Sequence, residues 1–150
     1  MHLKRLSTVA AISGVYDILI GLSLLLAREQ LTAVFGVPRP QPPIHADLNA
    51  IFLLAVGLGY LLPWRDPQRY RGYLWVMGPW LKGAGAFAIV LDYALRHSPA
   101  SFLVFAASDG TLALVTLWAL LSSASTSTPA HRPPLRPGLP PTPPGSREPR

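Results

Sequence analysis

The stretch 72–95, GYLWVMGPWLKGAGAFAIVLDYAL, decides how this chain is read. A helix needs about 20 mostly apolar residues, rising 1.5 Å each, to cross a bilayer, and this stretch supplies them. Lys82 is the charge nearest its centre. On insertion scales a charge at that depth costs about 2.5–3.5 kcal/mol, so such a residue turns from lipid toward protein or water. Pro79 lies in the same stretch and has no N–H to offer the carbonyl of Trp75, which predicts a kink.

Three more stretches have the same character: 6–27, 44–62 and 99–121. Pro63 is expected to end the second. Ser98 is placed to cap the fourth, with Pro99 in its first turn. The first stretch has the position of a secretory signal. Its apolar run is too long for one, and no A-x-A site precedes Arg28, so it reads as a retained span. The expected fold is therefore all-α: a four-helix transmembrane bundle over 1–121. Residues 122–150 open with Ser and Thr and become Pro-rich. Such a composition buries too little apolar surface to fold, so a disordered tail is expected there. Its PxxP spacings, as at Pro134 and Pro137, read as low complexity.

Composition narrows the function classes. Half of the 150 residues are apolar, 13% are charged and none is cysteine. The lack of cysteine excludes disulfides, thiolate metal sites and Cys nucleophiles. A net charge of +6 suggests a nucleic-acid partner at first sight. The basic residues, however, flank the apolar stretches or lie in the tail, which is the membrane pattern, and no nucleic acid is expected. Nine Lys and Arg fall on the side of the two termini and three on the other. The positive-inside rule then places both termini in the cytoplasm. Trp64, Tyr70, Tyr73, Trp75 and Trp118 would form the inner aromatic belt. In the inner loop Asp66-Pro67 favours a turn, and Arg65, Arg69 and Arg71 are expected to meet anionic lipid heads.

The outer loop, 28–43, is the longest connection. Leu31, Val34 and Phe35 predict a short interfacial helix, followed by an extended arm through Pro38, Pro40, Pro42 and Pro43. A stiff linker is the expected role; a lid over the outer mouth is the alternative.

Two further ionisable residues share the depth of Lys82: Asp17 in the first stretch and Asp109 in the fourth. Helical spacing puts each on a face of small residues. Gly14 and Gly21 flank Asp17; Gly78, Gly85 and Ala86 accompany Lys82; Ala106, Gly110 and Ala113 accompany Asp109. Small residues mark helix–helix contacts in membranes, so all three charges should point inward. Lys82 is expected to pair with Asp17 or Asp109. One negative charge is then in surplus, which a shared proton or cation would neutralise.

A second polar set stands near the outer surface: Glu29, His45, Asp47, Asp92 and His97. These types can ligate zinc. No tight ligand spacing accompanies them, so they read as solvated interfacial residues and no metal is expected. No Walker A, G-x-G-x-x-G or G-x-S-x-G motif occurs, so nothing marks an enzyme.

Short motifs run through 6–121: Tyr16-Asp17 with Gly21, Phe35-Gly36-Val37-Pro38, Gly59-Tyr60, Asp66-Pro67-Gln68-Arg69, Gly78 with Lys82-Gly83, and Ser108-Asp109. Together they resemble a group of bacterial four-helix membrane proteins similar in layout to the DoxX-like superfamily. In that group Asn often stands at the first-span polar position, and Asn-Asp at the place of Ser108-Asp109. The resemblance implies a bacterial inner-membrane protein. DoxX relatives include quinone-linked membrane subunits, which raises a quinone as a ligand, although no motif here carries that activity over.

Two classes of function follow. One is a non-enzymatic membrane subunit or scaffold with the Asp-Lys-Asp cluster as internal glue. The other is a small transporter or redox accessory handling a proton, cation or quinone head. Four helices are expected to leave little internal volume, which favours a homo-oligomer or a partner subunit. A solvent path to the midplane would favour the second class.

Overall fold

The computed structural model describes residues 2–124, and among them there is no strand. The order is α1 (His2–Leu26), α2 (Arg28–Phe35), α3 (Ile44–Gly59), α4 (Leu61–Arg65), α5 (Arg71–Trp75), a π-helical segment (Val76–Lys82), α6 (Gly83–Arg96), a 3-10 turn (Ala100–Phe102) and α7 (Leu103–Ala124). These join into four crossings long and apolar enough for a membrane: Leu3–Leu26, Ile44–Arg65, Arg71–Arg96 and Ala100–Ser123. Large apolar side chains such as Leu19, Trp80, Phe87 and Leu114 cover the outside. Lipid matches such a surface, while the helices satisfy the backbone internally. The expected tail lies outside the described residues, except that α7 runs past Leu121 to Ala124.

Two local expectations, at Pro63 and Ser98, are revised, and the one at Pro79 gains detail. Pro63 does not end the second crossing. It stands in the first turn of α4, where a missing N–H costs nothing, and the crossing continues to Arg65. At Pro79 the helix widens into the π segment Val76–Lys82. The interrupted hydrogen-bond ladder is thus absorbed by a wider turn, and Lys82 is that turn's last residue. Ser98 caps nothing: its hydroxyl donates to the Asp92 carboxylate, and the fourth crossing begins without a side-chain cap.

The packed core sits at the end of the bundle where α1 starts and α7 finishes, here the termini end. Leu6, Ala10, Tyr60, Leu74, Ala119 and Leu120 are each no more than 1% exposed. The Tyr73 hydroxyl donates to the Val56 carbonyl at 2.8 Å, and its ring meets Tyr60 edge-on at 5.3 Å. Along α1 and α3 the approach is close. A Cβ on Gly14 would lie 3.0 Å from the Gly57 carbonyl, and one on Gly57 would lie 2.9 Å from the Gly14 carbonyl. Glycine at both positions is what lets the two backbones meet.

The connections pin the ends. Asp66 accepts the Arg69 N–H at 3.0 Å, forming the turn expected at Asp66-Pro67. Of the three loop arginines, Arg71 turns inward and donates to the Leu120 carbonyl, while Arg69 lies over the Tyr70 ring at 5.6 Å. At the other end, here the α2 end, α2 stops at Gly36, whose φ of 66° suits glycine. Phe35 packs on Phe102 and Phe105 at 6.1 and 5.0 Å, and Ser101 donates to its carbonyl at 2.7 Å. The short helix expected in this loop is therefore fastened to the fourth crossing.

Candidate functional site

Each member of the central cluster comes from a different crossing. Asp17 lies midway along α1, Lys82 closes the π segment and Asp109 lies in the first half of α7. The structure brings them together. Lys82 Nζ donates to Asp17 Oδ1 at 2.5 Å and to Asp109 Oδ1 at 3.3 Å. The first pair is dry, with side-chain exposures of 6% and 2%, whereas Asp109 retains 24%. Lys82 is thus paired with both carboxylates, where the sequence offered a choice of one. Close charge-assisted contact is what makes burial of the ammonium tolerable. The count stays unbalanced: two carboxylates face one ammonium. Asp17 Oδ2 is buried and has no hydrogen-bond partner among the described residues. A buried acceptor without a donor costs about 1–3 kcal/mol, so its retention calls for a reason.

Two neighbours complete the cluster. Lys82 Nζ lies 4.9 Å from the centre of the Tyr16 ring, within cation–π range. Tyr16 and Ser108 hydroxyls are 2.7 Å apart, and Ser108 donates to the Phe105 carbonyl at 3.1 Å. With the Ser108 proton directed to that carbonyl, Tyr16 is the donor of the shared bond. Sequence reasoning gave Tyr16 and Ser108 no role of their own. Their signal was adjacency: each immediately precedes a cluster carboxylate in the chain.

The cluster faces a cavity of about 680 Å³. All three charges line it, together with an apolar wall that includes Ile20, Leu24, Phe52, Leu81, Ile89 and Phe102. The space extends along the third crossing to Asp92, Arg96 and Ser98 at the α2 end. The space is an open cleft rather than an enclosed volume: its wall residues Phe52 and Tyr93 are about half exposed. The crossings close at the termini end and leave this space between them toward the other. α2 does not cover the space. Its Phe35 packs on Phe102 and Phe105, two of the wall residues, and is not itself among the residues that line the space.

The outer polar set does not converge. Asp47 pairs with Arg28, Glu29 with Arg39 at 3.3 Å, and Asp92 with Arg96 at 3.2 Å and with Ser98. His97 takes a left-handed backbone, φ 57°, that ends α6. Among the described residues no three His, Asp or Glu gather as metal ligands, so neither His45 nor His97 joins such a group.

No known protein family, no curated protein and no solved structure matches this chain.

Proposed function

We propose that this protein is a multi-pass membrane protein that takes a small amphipathic molecule into its bundle, with Asp17, Lys82 and Asp109 at the polar end of the site. The observation that carries the proposal is that the ion cluster lines an apolar cavity, with Asp109 as its accessible member. Small-molecule sites are concave, about 300–1,000 Å³, mostly apolar, with a few convergent polar groups, and they occur between the helices of bundles. An intramembrane charge beside such a space is a functional site by default. The proposed setting is a bacterial inner membrane with both termini in the cytoplasm, supported by the nine-to-three distribution of Lys and Arg and by the motif resemblance. The cavity would then open toward the outer leaflet, and Arg65 and Arg69 would meet inner-leaflet lipid heads.

A second reading keeps the cluster as internal glue in a scaffold or partner subunit. The dry Asp17–Lys82 pair favours it, because buried ion pairs also specify packing. Native mass spectrometry of the full chain released from mild detergent separates the two. The proposal predicts a retained small molecule of defined mass that is lost in Gly85→Leu, a substitution that reaches into the cavity. A bare wild-type mass would support the glue reading.

A further inference from the structure

We infer that the ligand of this cavity is an organic monocation, a protonated primary or secondary amine carrying an apolar tail. The inference rests on the amphipath reading above and adds the sign of the head. Three carboxylates line the cavity, Asp17, Asp92 and Asp109, against two cations, Lys82 and Arg96. One negative charge is in excess, and its location follows from the contacts. Arg96 pairs with Asp92 at the α2 end. At the other end Lys82 is shared between Asp17 and Asp109, so the excess belongs to the inner cluster.

Two features there call for a second cation. Asp17 Oδ2 is buried without a partner among the described residues, on a side chain only 2% exposed. Asp109 is the cluster's most accessible member, and its bond to Lys82 is the longer of the two. An ammonium head with two or three N–H groups would meet Asp109 from the cavity and bring the whole cluster, Asp17 included, to charge balance. A neutral head leaves the excess in place, and an anionic head doubles it in a low-dielectric setting. A bare inorganic cation is the wrong size: nothing in its chemistry uses an apolar space of about 680 Å³. Aromatic rings at Phe102, Phe105 and Tyr93 offer further faces to a cation on its way in from the α2 end.

The test is equilibrium dialysis of radiolabelled decylammonium, decanol and decanoate against the full-length protein in nanodiscs, with protein-free nanodiscs subtracted. The expected order is decylammonium tightest by about tenfold or more, then decanol, then decanoate. Asp109→Asn should weaken decylammonium by about tenfold and leave decanol unchanged. Gly85→Leu should weaken both. Gly85 lines the cavity, and a Cβ there meets nothing within 4 Å, so this variant keeps the fold and the charges while filling the space. Equal binding of the three probes would overturn the cation assignment and leave the amphipath site standing, with a proton holding the excess charge. No binding of any probe, or binding indifferent to Gly85→Leu, would overturn both.

Discussion

At the termini end, four crossings close on Leu6, Tyr60, Leu74 and Leu120, all at most 1% exposed; toward the α2 end the same crossings stand apart around about 680 Å³. Both halves draw on Leu, Ile, Val, Ala, Gly and aromatic residues, so composition does not separate them. The contrast lies in what faces what. In the packed half, the Tyr60 and Tyr73 rings and small residues interlock, and the Tyr73 hydroxyl reaches the Val56 carbonyl. In the hollow half, large side chains such as Phe52, Leu81 and Phe102 line the space. The ion cluster stands at the boundary. The comparison teaches that the charges are held from one side by packing and left accessible from the other.

The largest expected effect breaks the boundary itself. Lys82→Met leaves two carboxylates near each other without their shared counter-ion and should destabilise the bundle by about 3–5 kcal/mol. Adding Asp17→Asn and Asp109→Asn should restore much of that loss. Denaturant unfolding in detergent checks both. Equal stability of wild type, single and triple variants would remove the ion cluster from the account.

One substitution made in both halves sharpens the contrast. At Gly57 a Cβ would lie 2.7 Å from Ile18 Cγ1 and 2.9 Å from the Gly14 carbonyl. Gly57→Ala should therefore cost about 1–3 kcal/mol through overpacking. Gly85→Ala meets open space and should gain about 0.5–1 kcal/mol, the usual advantage of Ala over Gly inside a helix. Thermal unfolding of the two variants should move in opposite directions.

Smaller effects separate the hydroxyls. Tyr73→Phe removes the bond to the Val56 carbonyl and should cost about 0.5–1.5 kcal/mol. Ser101→Ala, which loses only the tether to the Phe35 carbonyl at the loop, should fall within about 0.5 kcal/mol of wild type. Both are read from unfolding midpoints at constant slope.

The number of crossings, the inward direction of Asp17, Lys82 and Asp109, and the helix in the outer loop were legible because each follows from local pattern: apolar length, small-residue faces and amphipathic spacing. The end of the second crossing was misread at Pro63 because proline is neutral in a first turn, and where that turn begins depends on the break at Tyr60. Pro79 was correctly read as a disturbance of the helix, but the π form that the disturbance takes was not legible from the missing N–H alone. The cavity was not legible at all. It depends on how far crossings diverge, a relation between segments that no single segment carries. For the same reason the apparent excess of one carboxylate was visible, while the unpartnered Asp17 Oδ2 was not.

The account's central claim is that the ion cluster lies within a cavity reachable from the α2 end. The chain has no cysteine, so introduced thiols report one site each. The measurement is the labelling rate of Gly85→Cys and Ala10→Cys, in membranes, by cationic and anionic methanethiosulfonates. Gly85 lines the cavity, and Ala10 is fully buried in the packed half. The account predicts that Gly85→Cys reacts, faster with the cationic reagent, while Ala10→Cys stays unreacted. Protection of both thiols alike would contradict it.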